Sequence, residues 1–571
     1  MPYILSISVG PVQDFIAAAR KTRDLWFGSY VLSEVSRAVA DSVAKRGKLV
    51  FPHDVQVVAV PNKLLAFVVK GDPAAIAEEA KQAAVDRLKA FKDDALKQLN
   101  GVKINDALLN KQLDSFLEFY AAWWPLGDGD KAYSEARLNA ERLLAGRKAL
   151  RDFSPAFGAD GVPKSSLDGG REAVLKADDL KPNERVRLGI KRGECLDGIS
   201  LIKRLAKAPR FVSVSRIAAD PLIRRIGQSD SDKLVELIEL AKQLQGTDLI
   251  RCFDKSGPPE FQAFPYDTQL FYTDAAADKD ASENDKGKAA EFHRRVRDIC
   301  RELDIREPTP YFAVIAADGD RMGKIINELG EKAQHIDLSD KMAAFATAAD
   351  GIVAESHGAM VYCGGDDVLA FLPLDTALDC ADKLRKAFKA ALADFGDTSL
   401  SCGVSIAHFG EHLQDLIQWA RNAEHAAKDK GRNSLAVHLH TRTAGDDFVE
   451  SVSSWADDPV VSRWARWIQL YETGLPKSAT YDLRILQREF RGLDTTVCSD
   501  LLEREVRRVL GHKREQTDKK LTEELVKELV GLVANDVDNL DRLVNELIIA
   551  RHLVKAKQIV CGKPEGVVSN E

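Results

Sequence analysis

The chain has 571 residues, 45% of them hydrophobic and 30% charged, with a formal net charge of −7. That length supports several cores, on the order of four domains, and the composition is that of a soluble globular protein. Mild acidity excludes a chain-wide electrostatic footprint for nucleic acid, so any polyanion contact must come from local basic patches. Eight cysteines lie scattered without a CxxC pair, which argues against a disulfide framework or zinc ribbon and for reduced thiols in the cytoplasm. The opening "MPYILSISVG" is too soon interrupted for a signal peptide. No apolar run reaches the roughly 18 residues of a membrane span.

In chain order, "YILSISV" reads as a strand and "GPVQDFIAAARKTRDLWFGSYVLSEVSRAVADSVAK" as one long helix. "VQVVAVPNKLLAFVVKGD" reads as a hairpin before another helix. Residues 101–305 are mixed and largely helical, with polar loops such as "DAAADKDASENDKGKAA". From Tyr311 the alternation is clean: strand "YFAVIAA", then "DGDRMGKIINELG" as a turn entering a helix, then helix "LSDKMAAFATAADGIVAESHG". "AMVYC", "GGDD" and "VLAFL" form a second hairpin, followed by a helix over 375–395, strand "LSCGVSIAH", a helix over 412–430 and strand "NSLAVHLH". After 446 the pattern is helical almost throughout and predicts a bundle. The expected fold class is α/β (α+β), with a sheet covered by helices on one face and units at 1–100, 101–305, 306–445 and 446–571.

The first unit repeats the third. Leu65-Ala66-Phe67 matches Leu369-Ala370-Phe371 at an offset of 304, which lays Asn62 on Asp366 and Lys63 on Asp367. The opening strand reaches "VGP" where the later unit has "DGD". One copy of an internal duplication has kept its carboxylates and the other has lost them.

Asp318 ends a strand, and Asp366 and Asp367 sit side by side at a hairpin. With those strands adjacent, the three carboxylates converge and suit Mg²⁺ (or Mn²⁺), a hard ion taking carboxylate and phosphate oxygens at about 2.0–2.1 Å. Two such ions, about 3.5–4 Å apart, activate a 3′-hydroxyl and stabilise leaving pyrophosphate. Gly319, Gly364 and Gly365 give backbone and nucleotide room for close approach, and the helix starting near Arg321 points its N-terminus at phosphate. Lys428 and Arg432, in "AAKDKGRNSLAV", flank a helix end where they can neutralise a triphosphate. A lone "DD" turn is usually an exposed loop and "GRN" an ordinary helix stop. The order DGD, GGDD, "SCGVSIA", "AKDKGRN" is far more specific, and points to nucleotidyl transfer.

On these motifs the third unit resembles a Palm domain of the polymerase and GGDEF-cyclase type, with Asp367 where diguanylate cyclases usually carry Glu. The whole chain resembles the large subunit of type III-B (Cmr-type) CRISPR effector complexes. The resemblance rests on "SISVGPVQDFIAAARKTRDLWFGSYVLSEVS", "VPNKLLAFVV", "YAAWWPL", "KSSLDGGRE", "CLDGISLIKRL", "FVSVSRIA", "DGDRMGK" and "CGGDDVLAF", in the family's order over residues 5–371. It implies a degenerate first and an active second ferredoxin-like Palm domain, a mixed intervening domain and a C-terminal helical bundle. It further implies antiviral defence: target RNA switches on conversion of ATP into cyclic oligoadenylate or a related adenylylated messenger. The implied partners are other Cmr-type subunits, guide CRISPR RNA and target RNA, in the cytoplasm and without a membrane. Asp318, Asp366 and Asp367 are the implied metal ligands, with Lys428 a phosphate contact and Asp320 assisting.

Two departures from the family bear on these expectations. Many relatives begin with an HD nuclease domain, whereas the Palm-like pattern here starts at Tyr3, and the dipeptide His53-Asp54 lies in a loop unsuited to that chemistry. Only Cys195 survives of the cysteine pattern that binds zinc in relatives, so no zinc is expected. Trp123 and Trp124 read as core or interface residues. The basic stretch "EREVRRVLGHKREQTDKK" reads as a solvated helix face, and the resemblance implies that this bundle meets a partner subunit or RNA. A catalytically silent scaffold and a free-standing nucleotide cyclase are the competing functions. Intact DGD and GGDD disfavour the first, and the long helical regions without a sensor module disfavour the second.

Overall fold

A computed structural model describes the chain except residues 58, 130, 151–160, 208–210, 253–258, 277–280, 443–447, 457–458, 493–494, 512–520, 534–536 and 563–571. Strands β1 (Tyr3–Gly10), β2 (Lys48–Phe51), β3 (Lys63–Val68) and β4 (Glu118–Pro125) form one antiparallel sheet in the order β2-β3-β1-β4. Two residues each of β5 (Leu175–Lys176) and β6 (Cys195–Leu196) pair within the intervening region. Strands β7 (Tyr311–Gly319), β8 (Ala359–Cys363), β9 (Asp367–Leu372), β10 (Leu400–His408), β11 (Ser434–His440) and β12 (Phe448–Ser454) make the larger sheet, ordered β12-β11-β10-β7-β9-β8. Its β8-β9-β7-β10 stretch repeats the order and directions of β2-β3-β1-β4.

The register fixes the duplication residue by residue. Ser8 stands opposite Lys63 as Asp318 stands opposite Asp367. The Val9 amide donates to the Asn62 carbonyl at 2.8 Å, and the Gly319 amide to that of Asp366 at 3.1 Å. Asn62 and Lys63 therefore match Asp366 and Asp367 as expected, but "VGP" lies one residue out of step with "DGD". Ser8, not Val9, holds the place of Asp318.

Several expectations are corrected. The long first helix breaks into Gln13–Ala17 and Thr22–Ala44. Lys21 is extended there, and the buried Asp24 carboxylate accepts its amide at 3.2 Å, restarting the helix. Apolar spacing runs on across that break and hides it. The first arm of the first hairpin is β2, "KLVF", not "VQVVAV". Arg37 donates to the carbonyls of Val55 and Val57, and Ser33 Oγ accepts from the Val60 amide at 2.8 Å. Helix side chains thus satisfy a backbone whose propensity is for a strand. The limits at 100 and 445 fall inside the sheets, since β4 and β12 lie beyond them, and β12 interrupts the region expected to be helical.

The larger sheet is covered on both faces, not one. Phe312, Val314, Leu369 and Phe371 pack into a core shared with Leu5 and Ile7 of β1, and Trp26 meets Phe371 edge-on at 6.3 Å. Ala313, Ile315, Val368 and Ala370 face a second core with Phe345 and Leu384, continuous with Trp464, Leu529 and Leu547 of the C-terminal helices. Buried Glu546 ties those helices to the sheet edge, accepting from Trp467 Nε1 at 2.7 Å and Ser451 Oγ at 3.0 Å. Among the described residues no helix is long and apolar enough to cross a membrane.

Candidate active site

Two antiparallel strands that begin and end at the same level bring their terminal side chains together. Asp318, one residue from the end of β7, is directly opposite Asp367, the first residue of β9. Asp366 precedes it in the turn. The Gly364 amide closes that turn on the Asp367 carbonyl at 2.9 Å, and Gly365 stands at φ +104°. Gly319 is needed for packing: a Cβ there would lie 2.7 Å from Phe388, 2.8 Å from Met322 and 3.0 Å from Asp366.

Carboxylates so close oppose one another's ionisation. Burial, then the charge of Asp318, pushes Asp366 up to about 6. Burial, then Asp318 and Asp366, pushes Asp367 up to about 7. The phenol of Tyr362, beneath the turn, is raised by burial and by both aspartates.

Positive charge arrives from the helix Leu413–Asp429. Arg421, Glu424 and Lys428 lie three and four residues apart on one of its faces. Lys428 Nζ donates to Asp318 Oδ2 and pairs with Glu424 at 2.6 Å. Burial works against the Lys428 charge, but these hydrogen bonds outweigh it and raise its pKa. Arg421 acts at longer range, favouring the ionised Asp367. The helix seats this closely because β10 carries Gly403, where a Cβ would lie 2.1 Å from the Glu424 amide nitrogen.

Asp320 does something else. Only 4% exposed, it accepts from Ser399 Oγ at 2.6 Å, Ser401 Oγ at 2.8 Å and the Asn433 amide at 2.9 Å. It clamps β10 to the "GRN" turn, where Arg432 and Asn433 hold φ of +70° and +45°. These donors make Asp320 a positioning residue for the turn. Arg432 is exposed at that turn.

Among the described residues no three His, Cys, Asp or Glu side chains stand together as a metal-holding group. Asp318, Asp366 and Asp367 converge by register and by charge, and the Lys428 ammonium is a counter-ion to Asp318. The donors themselves are hard carboxylate oxygens, the chemistry that Mg²⁺ or Mn²⁺ takes.

Arg421, Glu424, Gly403 and Tyr362 were not singled out from the sequence. The 421/424/428 spacing was the readable signal for the first two. Elsewhere, His53 pairs with Asp340 at 2.9 Å, Trp123 packs on the shared core, and Trp124 is 39% exposed on β4.

Two family models match this chain: "Cas10/Cmr2, second palm domain" over residues 311–436 and "CRISPR-associated protein Cmr2, N-terminal" over 4–56. The CRISPR system Cmr subunit Cmr2 of Pyrococcus furiosus is 24% identical, over 93% of this chain and 72% of that protein. Over these segments the chain is similar to the Cas10/Cmr2 family. Among solved structures it is similar to a chain of type III-B Cmr-beta in the apo state, with a TM-score of 0.62 and 13% identity over 99% of this chain and 82% of that one. The same TM-score and identity hold for Cmr-beta bound to cognate target RNA, over 97% and 83%. At that identity the likeness establishes the fold. The second-palm match spans β7 to the middle of β11 and contains Asp318, Asp366, Asp367 and Lys428.

Proposed function

We propose that this chain is the signalling subunit of an RNA-guided antiviral ribonucleoprotein. Its second palm is then a nucleotidyltransferase that converts ATP into cyclic oligoadenylate, or a related adenylylated messenger, once target RNA is bound. The observation that carries this reading is the pairing of Asp318 with Asp367 across β7 and β9, with Asp366 beside them. A merely tolerant surface turn would not bury mutually repelling carboxylates. A cation that offsets their repulsion gives the arrangement a purpose.

Asp318, Asp366 and Asp367 are the residues to hold Mg²⁺ or Mn²⁺, which would supply activation of a 3′-hydroxyl and charge stabilisation at leaving pyrophosphate. Lys428 and Arg421 suit the triphosphate oxygens, as does exposed Arg432. Asp320 keeps the helix end and its turn in place. Similarity to Cas10/Cmr2 supports assembly with other Cmr-type subunits, guide RNA and target RNA. The second reading is a catalytically silent scaffold. In its favour, the Lys428 ammonium already neutralises Asp318, where synthesis needs a metal.

The test is to incubate the assembled complex with ATP, Mg²⁺ and matching RNA and to identify the product by mass spectrometry. The D366A/D367A complex should still assemble and bind both RNAs, yet form no ATP-derived product. Near wild-type synthesis by that variant removes the metal-site reading. Loss of assembly makes the turn structural.

A further inference from the structure

The first palm has lost its carboxylates, yet its helix Ala132–Ala149 keeps a buried charge. Arg137 is fully buried there. Its Nη1 pairs with Glu141 at 3.0 Å, and its Nε has no acceptor among the described residues. A buried guanidinium so incompletely satisfied costs stability rather than adding it. What it reaches beyond Glu141 lies in the other palm: Nη2 donates to Asn327 Oδ1 at 3.3 Å.

Asn327 belongs to the helix Met322–Glu328, which starts two residues after Asp320. Seven residues make a poor helix, since isolated helices shorter than about 12–15 residues are marginal in water. Little packing compensates. Met322 is buried beside Gly319, and the rest of the helix is exposed or half-buried. Ile325, Glu328 and Leu329 line a cavity of about 360 Å³ shared with Asp337 and Phe395. The helix therefore has room to shift on that side. Met322 passes any shift to Gly319, whose neighbours in the chain are Asp318 and Asp320.

Position has to come from tethers. One is internal to the second palm: His335, on the helix Lys332–Glu355, places Nε2 3.1 Å from the Ile326 carbonyl, among the last four that a helix leaves without partners. The other is Arg137. The frame around both is firm. Ile336 packs into a core with Ile4, Leu65, Ala136 and Ala140, and the Tyr133 ring meets His335 edge-on at 5.5 Å. Behind Arg137, Glu141 reaches Lys63 at 3.3 Å, the residue that stands where the second palm has Asp367. Contacts thus run unbroken from the turn of the first palm to the helix that follows "DGD" in the second.

We infer that Arg137 of the first palm is a positioning residue for the site of the second: through Asn327 it holds the helix Met322–Glu328, and with it the segment Asp318-Gly319-Asp320, in place. This rests on the proposed function for the reaction that the site performs, but not for the tether itself. It gives the first palm a part in that reaction without a metal or a nucleotide of its own.

Asn327 is exposed, so Asn327→Ala should fold with an unchanged urea midpoint. Alanine is also the better helix former, so propensity alone would slow hydrogen exchange in this helix. Loss of the tether should instead speed amide exchange over residues 318–330 of the full chain about tenfold, read by mass spectrometry. In the assembled complex, kcat for ATP-derived product should fall about tenfold while KM for ATP stays within about twofold. Asn327→Asp keeps an acceptor for the guanidinium and should match the wild type in both. Lys324→Ala, on the same helix and paired with Glu328 at 3.6 Å, should match it too. Arg137→Met should reproduce Asn327→Ala, and the double variant should add nothing further. If Arg137→Met misfolds, the Asn327 variants decide alone. Unchanged exchange in Asn327→Ala overturns the inference, as does faster exchange with unchanged kcat, or an equal effect from Lys324→Ala. A wild-type complex that makes no product removes the proposed function, and the exchange comparison still decides the tether.

Discussion

Replacing Asp366 and Asp367 with Asn should stabilise the metal-free protein, and the gain should depend on pH. Asp366 is raised from 3.8 to about 6 and Asp367 to about 7, chiefly by burial and by the Asp318 charge. At about 1.4 kcal/mol per pKa unit, these shifts bound the penalty at about 3 and 4 kcal/mol. Each shift contains part of the same repulsion and both groups are half-buried, so about 2–4 kcal/mol for the pair is the working figure. The sign follows from the raised folded values. Below about pH 4 the carboxyls are protonated in both states and cost nothing. As pH rises the unfolded chain releases its protons first, so the wild type loses stability until about pH 7, where the penalty is complete. Urea denaturation followed by far-UV circular dichroism should therefore find D366N/D367N more stable than wild type at pH 8 and equal to it near pH 4. Mg²⁺ should narrow the gap at pH 8 by stabilising the wild type alone. A pH-independent offset, or a less stable variant at pH 8, refutes the reasoning.

Lys428→Met should raise divalent-metal affinity several-fold by titration calorimetry, since Asp318 loses its competing ammonium, while ATP-derived product falls at least about tenfold; unchanged metal affinity rejects that competition. Asp320→Ala leaves two serine hydroxyls and the Asn433 amide without their acceptor and should cost about 2–4 kcal/mol in urea denaturation, with Asp320→Asn recovering part. A stable but inactive Asp320→Ala protein would instead make Asp320 a direct nucleotide contact. In crystals soaked with ATP and Mn²⁺, anomalous density should lie at Asp318, Asp366 and Asp367. Metal bound directly by Ser8, Asn62 or Lys63 would contradict a metal-free first palm.

The second palm was legible because its strands are continuous apolar runs and its helices are periodic, so the elements from Tyr311 to His440 fall within a few residues of expectation, except the helix Lys332–Glu355, which starts six residues before Leu338. The first palm was less so. Nothing in "VQVVAV" announces that Arg37 and Ser33 will satisfy its backbone, and no periodicity marks Lys21 as a helix break. Strands β4 and β12 were missed for a related reason. β4 carries two tryptophans that read equally as core, and β12, "FVESVSS", is half polar because one of its faces meets solvent. Sequence shows which residues can form a strand, but not which neighbour will supply the missing hydrogen bonds.

The candidate site separates in the same way. Asp318, Asp366 and Asp367 were readable as a unit because two adjacent strands align by register, and Lys428 because it ends the next helix. The clamp made by Asp320 was not legible: in "DGD" its charge looks the same as that of Asp318, and only the three donors around it reveal that role. The two palms also differ in how their turns are neutralised. In the first copy the fold does it: Lys63 pairs with Glu141 at 3.3 Å, and Glu141 holds buried Arg137 at 3.0 Å. In the second, Asp318, Asp366, Asp367 and Glu424 face, among the described residues, Lys428 and the more distant Arg421. Negative charge is left over, and together with burial, the larger cause, it raises Asp366 and Asp367. A turn that needed only to be a turn could have followed the first copy and closed its charges internally. Retaining an excess of carboxylate, beneath a lysine already shared by Asp318 and Glu424, makes stability of the ionised site conditional on a cation from outside the chain.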